Sequence, residues 1–592
     1  MNQKIVKIDG KLRSNYIFRI LSYLKPYWKT IIIAIVLLVV SVAADLAIPS
    51  LIRRIIDLGI TPKDLDVIRM TTLLMILIAV LEAIASIGNT FLSVRVAQSF
   101  AARVRAEAFH KIQKFSFGNL DRFLTGQIIV RLTSDINMVQ MMVMIALRMF
   151  IRAPIMVTGS IALMFIINAQ LTEIILLILP LTLVLSVLFI VRAQPMFLEV
   201  QRRLDRLNSV LQENLAGVRV VKAFVRTDHE SKRFEKANVA LTNQNTKVLT
   251  MFSFLFPSMQ IIINLSILSV LWFGGLQVAE GSFSIGEILA FANYLLTAIM
   301  PLLFLAMMAS QLSAANASAQ RIYEIIDVEP EVKDKPDAKT LHDIKGQVVF
   351  DNVCFNYNGN SGELVLQNIN LIAEPGQTIA ILGATGSGKS SLIDLIPRFY
   401  DVVEGSVKVD GIDVRDVTVR SLRSNIGIAL QEAILFSGTI RENIRFGKPE
   451  ASDQEVEAAA KAAQAHEFIM SFPKGYDSDV GERGAGLSGG QKQRISIARA
   501  LLVQPKILIL DDSTSSVDVE NEAKIQEQLD KLMENRTSFI IAQRISTVLK
   551  ADKIIVLDKG QIAAEGTHEE LMKSSSIYKE IYDSQLGGGF RS

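Results

Sequence analysis

The sequence predicts a chain in two parts: an all-α domain of six membrane-crossing helices with long helical extensions, then an α/β domain. Three observations predict it. Half of the 592 residues are hydrophobic and only 20% are charged, where soluble domains carry about 25%. The apolar excess lies in the first 320 residues, in runs nearly free of charge. The remainder has ordinary composition and begins with alternating strand patterns. The length requires several domains, and the hydrophobicity excludes intrinsic disorder. A net charge of +3, from 62 basic and 59 acidic residues, gives no support to nucleic-acid binding. A single cysteine, Cys354, excludes a disulfide framework and a cysteine metal site, and is read as a small strand residue.

Residues 31–52 carry one charge, Asp45, and residues 70–94 carry one, Glu82. Residues 154–191 carry one, Glu173. At about 1.5 Å per residue that run is too long for one crossing of a ~30 Å core, and Asn168-Ala169-Gln170 divides it. Residues 248–286 carry only Glu280, residues 288–320 carry none, and Gly281-Ser282-Phe283 joins them. The six spans centre near residues 40, 82, 155, 182, 266 and 298. Before them, residues 14–27 read as a short interfacial helix with Tyr16, Ile17, Ile20, Leu21 and Leu24 at helical spacing. Helical periodicity continues past the membrane limit over 95–114, 125–147 and 196–222, with turns expected near Phe115–Leu124 and Phe224–His229.

Lys and Arg number seven in residues 1–29, seven in 94–137 and eleven in 192–250, against four, none and none in the opposite connections. That bias predicts a multi-pass protein of the cell membrane with its N-terminus, long connections and C-terminal domain in the cytoplasm. Charges inside or near spans mark either pathways or interhelical pairs. Asp45 and Glu82 stay open between those two. Arg148 and Arg152, near the cytoplasmic start of the third span, fit snorkelling or pairing as well as a role in transport.

Residues 321–346 are rich in charge, with Pro330 and Pro336, and read as a linker. The expected division is therefore a cytoplasmic N-terminus over 1–29, a membrane domain over 30–320, this linker, and a nucleotide domain over 347–592. After VVFDNVCFNY a strand near Ile379–Leu382 runs into Gly383-Ala384-Thr385-Gly386-Ser387-Gly388-Lys389-Ser390, with Ser391 next. This is the GxxxxGK[ST] phosphate-binding loop. Glycines let backbone N–H groups face phosphate oxygens, Lys389 places a charge on the β/γ-phosphates, and Ser390 offers a hydroxyl to Mg²⁺. A helix from about Ser390 presents its positive end to the anion. Lys506–Asp512 is an apolar strand ending in carboxylates, and Asp511 suits Mg²⁺.

Between these motifs stands Leu487-Ser488-Gly489-Gly490-Gln491. Here the chain resembles the ATP-binding cassette (ABC) transporters, whose signature is LSGGQ. Further matches occur in the family's order: Tyr357 resembles the aromatic that stacks on adenine, Gln431 the Q-loop glutamine beside the metal, Val480–Arg483 the exporter X-loop, and Ser513–Asp518 the D-loop. Asn214–Phe224, NLAGVRVVKAF, resembles the six-helix, multidrug-type (type IV) half-exporters. The resemblance implies an ATPase and translocase that binds ATP and Mg²⁺. It also implies a dimer in which the signature of one chain completes the ATP site of the other.

Two positions depart from the family pattern. Asp512 stands where the family has a glutamate base, and Gln543 stands where it has the switch histidine. Asp is one methylene shorter than Glu, and catalysis by a base needs reach of about 2.6–3.2 Å or one bridging water. Gln carries no imidazolium charge. Together they predict a site that binds ATP and hydrolyses it poorly, beside an intact signature. The expected partner is a second half-transporter chain, with a homodimer as the other arrangement. The expected cargo is a small amphiphile (drug-like, lipid or peptide). The alternative is an ATP-gated or regulatory membrane protein.

Overall fold

In hydrocarbon every backbone N–H and C=O must be satisfied within its own segment, and the apolar runs accordingly form long helices. The computed structural model describes residues 16–357, 362–511, 536–541 and 548–586. The long helices are Trp28–Ile55, Leu65–Gln113, a run Thr125–Ile167, then Ala169–Ala216, Thr227–Ala279 and Ile285–Ile326. Among the described residues five are long and apolar enough to cross a membrane, and the sixth is apolar over Ile285–Pro301. Asn168 is extended and divides the third from the fourth. Its side chain accepts from the Leu171 N–H at 3.0 Å and donates to Gln277 Oε1 at 2.6 Å.

The interfacial segment is helical over Tyr16–Leu21 and tightens to a 3₁₀ turn over Ser22–Tyr27, where Pro26 lacks a donor. Arg19 forms two hydrogen bonds to Asp327, at 2.8 and 2.9 Å, and lies 4.0 Å over the Tyr323 ring. The last long helix corrects the expected linker start at 321. Arg321 pairs with the buried Asp135, and Glu324 accepts from Arg131 at 2.6 Å. Charges that read as linker composition are thus ion-pair partners on a helix that continues to Ile326. The second expected turn is also shorter than 224–229. The helix stops at Ala216, a short helix spans Val218–Ala223, Val225 turns with φ +54°, and Thr227 starts the next helix. Within the membrane helices Asp45 pairs with Arg152, and Ser41 donates to Glu82 at 3.0 Å. Arg148 has no ion pair among the described residues.

The chain divides into two units, one of Met1–Gln113 with Thr125–Asp327, the other of Lys114–Leu124 with Val328–Ser592. In the second unit β1 is Val348–Phe355, β2 Leu366–Ala373, β3 Thr378–Leu382, β4 Glu404–Val409, β5 Ile412–Asp413 and β6 Ile426–Ala429. Then follow β7 Gly438–Thr439, β8 Asp479–Val480, β9 Ile507–Asp511, β10 Thr537–Ile541, β11 Lys553–Asp558 and β12 Gln561–Gly566. An antiparallel sheet has the order β2-β1-β4-β5, and a six-stranded sheet the order β12-β11-β3-β10-β9-β6. The latter is parallel from β11 to β6. Its strands are continuous apolar runs because both faces are covered, and β9 is buried throughout. Cys354 lies on β1 and accepts from the Asn368 N–H at 3.4 Å.

The Asp45–Arg152 pair joins the first and third spans, with Glu82 close by. Asp45→Ala strands the arginine and is expected to lower stability by about 3 kcal/mol. Removing both charges, Asp45→Ala with Arg152→Leu, is expected to recover most of that. Thermal unfolding in lipid nanodiscs checks it. A double variant as unstable as the single would refute pairing as the reason for these charges.

Candidate functional site

Parallel pairing sets the site. Ile541 on β10 is in register with Ile381 on β3 and with Asp511 on β9, and Ala429 on β6 is in register with Leu510. The carboxyl ends of β3, β10, β9 and β6 therefore share one edge, the edge where open α/β sheets bind ligands. The phosphate loop leaves β3 there, Gln431 follows β6, and Asp511 ends β9. Asp512 and Gln543, and Ser513–Asp518 with them, lie outside the described residues.

The loop has the backbone a phosphate requires. Gly383 has φ +152°, and a Cβ there would stand 2.2 Å from the Leu557 carbonyl oxygen. Gly388 has φ +102°, and a Cβ would meet Leu366 Cδ2 at 2.8 Å. Only glycine fits either place. Lys389 Nζ donates to the carbonyls of Gly383 and Ala384, both at 2.9 Å, so the ammonium is held over the loop. Ser387 Oγ is buried and has no hydrogen-bond partner among the described residues. A glycine cradle, an ammonium and an orphaned hydroxyl fit a polyphosphate. The helix after the loop is regular only over Lys389–Asp394. The anion site therefore rests on loop N–H groups more than on a long helix dipole. Thr385, Gly386 and Ser390 are exposed, as is Gln431, and Asp511 is buried. Ser390, Gln431 and Asp511 supply the oxygen donors that Mg²⁺ prefers, and such an ion would neutralise charge between the phosphates.

Tyr357 has its hydroxyl 2.7 Å from Ser391 Oγ and its ring edge-on to Phe355 at 4.9 Å. Burial pushes its phenol above the ordinary value. A half-exposed aromatic ring beside the loop has the flat apolar face on which a base can stack.

The signature residues lie at a different helix start. Ser488 caps the helix Gly489–Leu502: its Oγ accepts from the Gln491 N–H at 3.3 Å, and Gln491 Oε1 accepts from the Ser488 N–H at 2.9 Å. Ser488 and Gln491 thus form a capping box, and the serine still has its own proton to donate. Ser488 and Gly489 are exposed, Gly490 is buried, and Leu487 is half-buried. Lys492 Nζ donates to the Arg483 carbonyl at 2.9 Å, tying the X-loop, where Arg483 has φ +53°, to this helix. No hydrogen bond joins the signature to the phosphate loop among the described residues.

Sequence reasoning missed Asp394, which ends the loop helix. Burial first, then the charges of Asp511 and Asp121, push its carboxyl up to about 7. A folded-state value above the unfolded one penalises ionisation. Stability from the neutral acid is complete below about pH 4 and lost as pH rises through about 7. Without nucleotide and metal, the thermal midpoint of the second unit is expected to fall by about 3 °C more between pH 5 and 8 in the native chain than in Asp394→Asn. Equal slopes would remove Asp394 from this account.

Known proteins share this build. The family "ABC transporter transmembrane region" matches residues 31–302, and the family "ABC transporter" matches residues 366–515. The chain is 42% identical over 569 residues to the ABC transporter ATP-binding protein YfiB of Bacillus subtilis, covering 96% of this chain and 98% of that one. It is 37% identical over 560 residues to an ATP-dependent lipid A-core flippase of Desulfotalea psychrophila, covering 95% and 97%. A bacterial Atm1-family ABC exporter with ATP bound superposes with a TM-score of 0.79 at 27% identity, covering 94% of this chain and 98% of that one. Long apolar helices followed by a phosphate loop and an LSGGQ helix, matched end to end by such relatives, make this chain a member of the ABC transporter family: an exporter-type membrane protein that couples ATP to transport.

Proposed function

We propose that this chain is one subunit of a dimeric exporter that moves amphiphilic compounds out of the cell. The flippase relative acts on a lipid, as its name states, and the six apolar helices suit a cargo of mixed polarity. The basic connections favour a cytoplasmic N-terminus and cassette in a cell-membrane protein. ATP sits on the loop Gly383–Ser391, with the base on Tyr357. Mg²⁺ is held through Ser390, Gln431 and Asp511.

The observation that carries the finer reading is a mismatch within one chain. The signature Leu487–Gln491 is intact and already organised by its capping box. The base and switch positions hold Asp512 and Gln543. The chain's own site is thus a poor hydrolytic site, and its signature completes a competent site on a different partner chain. ATP at the shared interface favours the closed state of the cassettes, and hydrolysis at the partner's site releases it.

ATPase turnover of the chain alone and with a co-expressed partner half-transporter tests this. The chain alone is expected to turn over at least about tenfold more slowly than the pair. Asp512→Glu with Gln543→His is expected to raise the lone chain's rate toward that of the pair. Full turnover by the native chain alone would end the heterodimer reading. ATP-dependent dye uptake into inverted vesicles separates pumping from gating, since a gate passes dye only down its gradient.

A further inference from the structure

Lys114–Leu124 folds with the second unit, and its contacts there lead to the base platform. The short helix Phe117–Asp121 is fixed at its start by a capping box between Ser116 and Asn119, and Asn119 Nδ2 donates to the Glu329 carbonyl at 3.2 Å. Arg122 pairs with Glu331 at 2.5 Å. Phe117 stacks on Phe399 at 4.1 Å. At the other end of this helix, the Tyr400 hydroxyl donates to Asp121 Oδ2 at 2.7 Å. The Tyr400 ring meets Tyr357 edge-on, with centroids 5.1 Å apart and planes at 86°. Phe355 packs against both rings, at 4.9 and 5.5 Å.

The contacts form one unbroken series. It runs from Ser391 on the loop helix to Tyr357, to the face and edge of Tyr400, and to the carboxylate that ends the tip helix. Burial and the Asp121 carboxylate both push the Tyr400 phenol far above its ordinary value, so it remains a donor at every physiological pH. A base stacked on Tyr357 restricts that ring. An edge-on neighbour in a packed cluster accommodates such a change only by shifting with it. Its hydroxyl then carries the shift to Asp121 through a charge-assisted bond.

We propose that Tyr400 is a positioning residue that couples a purine base seated on Tyr357 to the docking of Phe117–Asp121, so that the tip senses the base of the nucleotide and not only its phosphates. This rests on the reading of Tyr357 as the base platform. It separates two parts of one ligand. Phosphates occupy the loop, while the base alone reaches the Tyr357–Tyr400–Asp121 series.

Amide hydrogen exchange of the full chain in nanodiscs tests it, with MgATP, magnesium tripolyphosphate or neither. ATP is expected to slow exchange over 116–121 about fivefold, and tripolyphosphate is expected to leave it unchanged. Tyr400→Phe keeps the ring and removes the hydroxyl. It is expected to abolish the ATP effect and, because the hydroxyl already bonds Asp121 without nucleotide, to speed exchange over 116–121 a few-fold in its absence, with mant-ATP affinity within about twofold of native. Asp121→Ala is expected to match it, the double variant to be no worse than either, and Asp121→Asn to retain part of the effect because its amide oxygen still accepts. Three results would overturn the proposal: protection that survives in Tyr400→Phe, equal protection by tripolyphosphate, or unchanged mant-ATP affinity in Tyr357→Ala. The last would remove the base platform itself and leave the phosphate site standing.

Discussion

The nucleotide site depends on one constraint, the register of four parallel strands. β3, β10, β9 and β6 are buried apolar runs hydrogen-bonded in phase. Slipping one strand by a residue would turn its apolar set to the opposite face, which a sheet buried on both sides resists through packing alone. Because the register holds, four chain segments distant in sequence leave the sheet at one level. The phosphate loop, Gln431 and Asp511 acquire their proximity from this pairing. The glycines then do locally what the sheet does globally. They remove Cβ atoms at Gly383 and Gly388 where the Leu557 carbonyl oxygen and Leu366 stand closest.

The signature obeys a different rule. Its serine and glutamine satisfy each other's backbone donors, so the first turn is rigid before any ligand arrives. A preorganised helix start loses little conformational entropy on meeting an anion. It also explains why Gln491 belongs to the motif: its carboxamide oxygen holds the Ser488 N–H.

How much was legible in the sequence follows from how local each feature is. The phosphate loop, the signature and the spans were legible because their chemistry is written within about ten to twenty consecutive residues. β2 was not singled out, since Gln367, Asn368 and Asn370 interrupt its apolar pattern, and its identity comes from pairing with β1. The linker boundary was misplaced because Arg321 and Glu324 look solvated until Asp135 and Arg131 are placed opposite them. Tyr400 and Asp121 are 279 positions apart, and nothing in either neighbourhood announces the other. Asp394 gave no sign because its environment, not its type, makes it unusual.

The helix that leads into the tip segment differs from the other long helices. Proline interrupts Trp28–Ile55 at Pro49, Ala169–Ala216 at Pro180 and Pro195, Thr227–Ala279 at Pro257 and Ile285–Ile326 at Pro301. Pro154 lies in the helix Arg152–Ile167. Leu65–Gln113 contains none over 49 residues. Each interior proline removes one hydrogen bond of the helix ladder and invites a kink. A helix without one keeps its ladder for about 70 Å, so a tilt imposed at Gln113 is a tilt of the whole rod. Lys114 follows Gln113 directly, and the tip helix begins three residues later. This proline-free helix is therefore continuous in sequence with the short segment to which Tyr400 is hydrogen-bonded. That continuity gives one charge-assisted hydrogen bond a long lever on which to act.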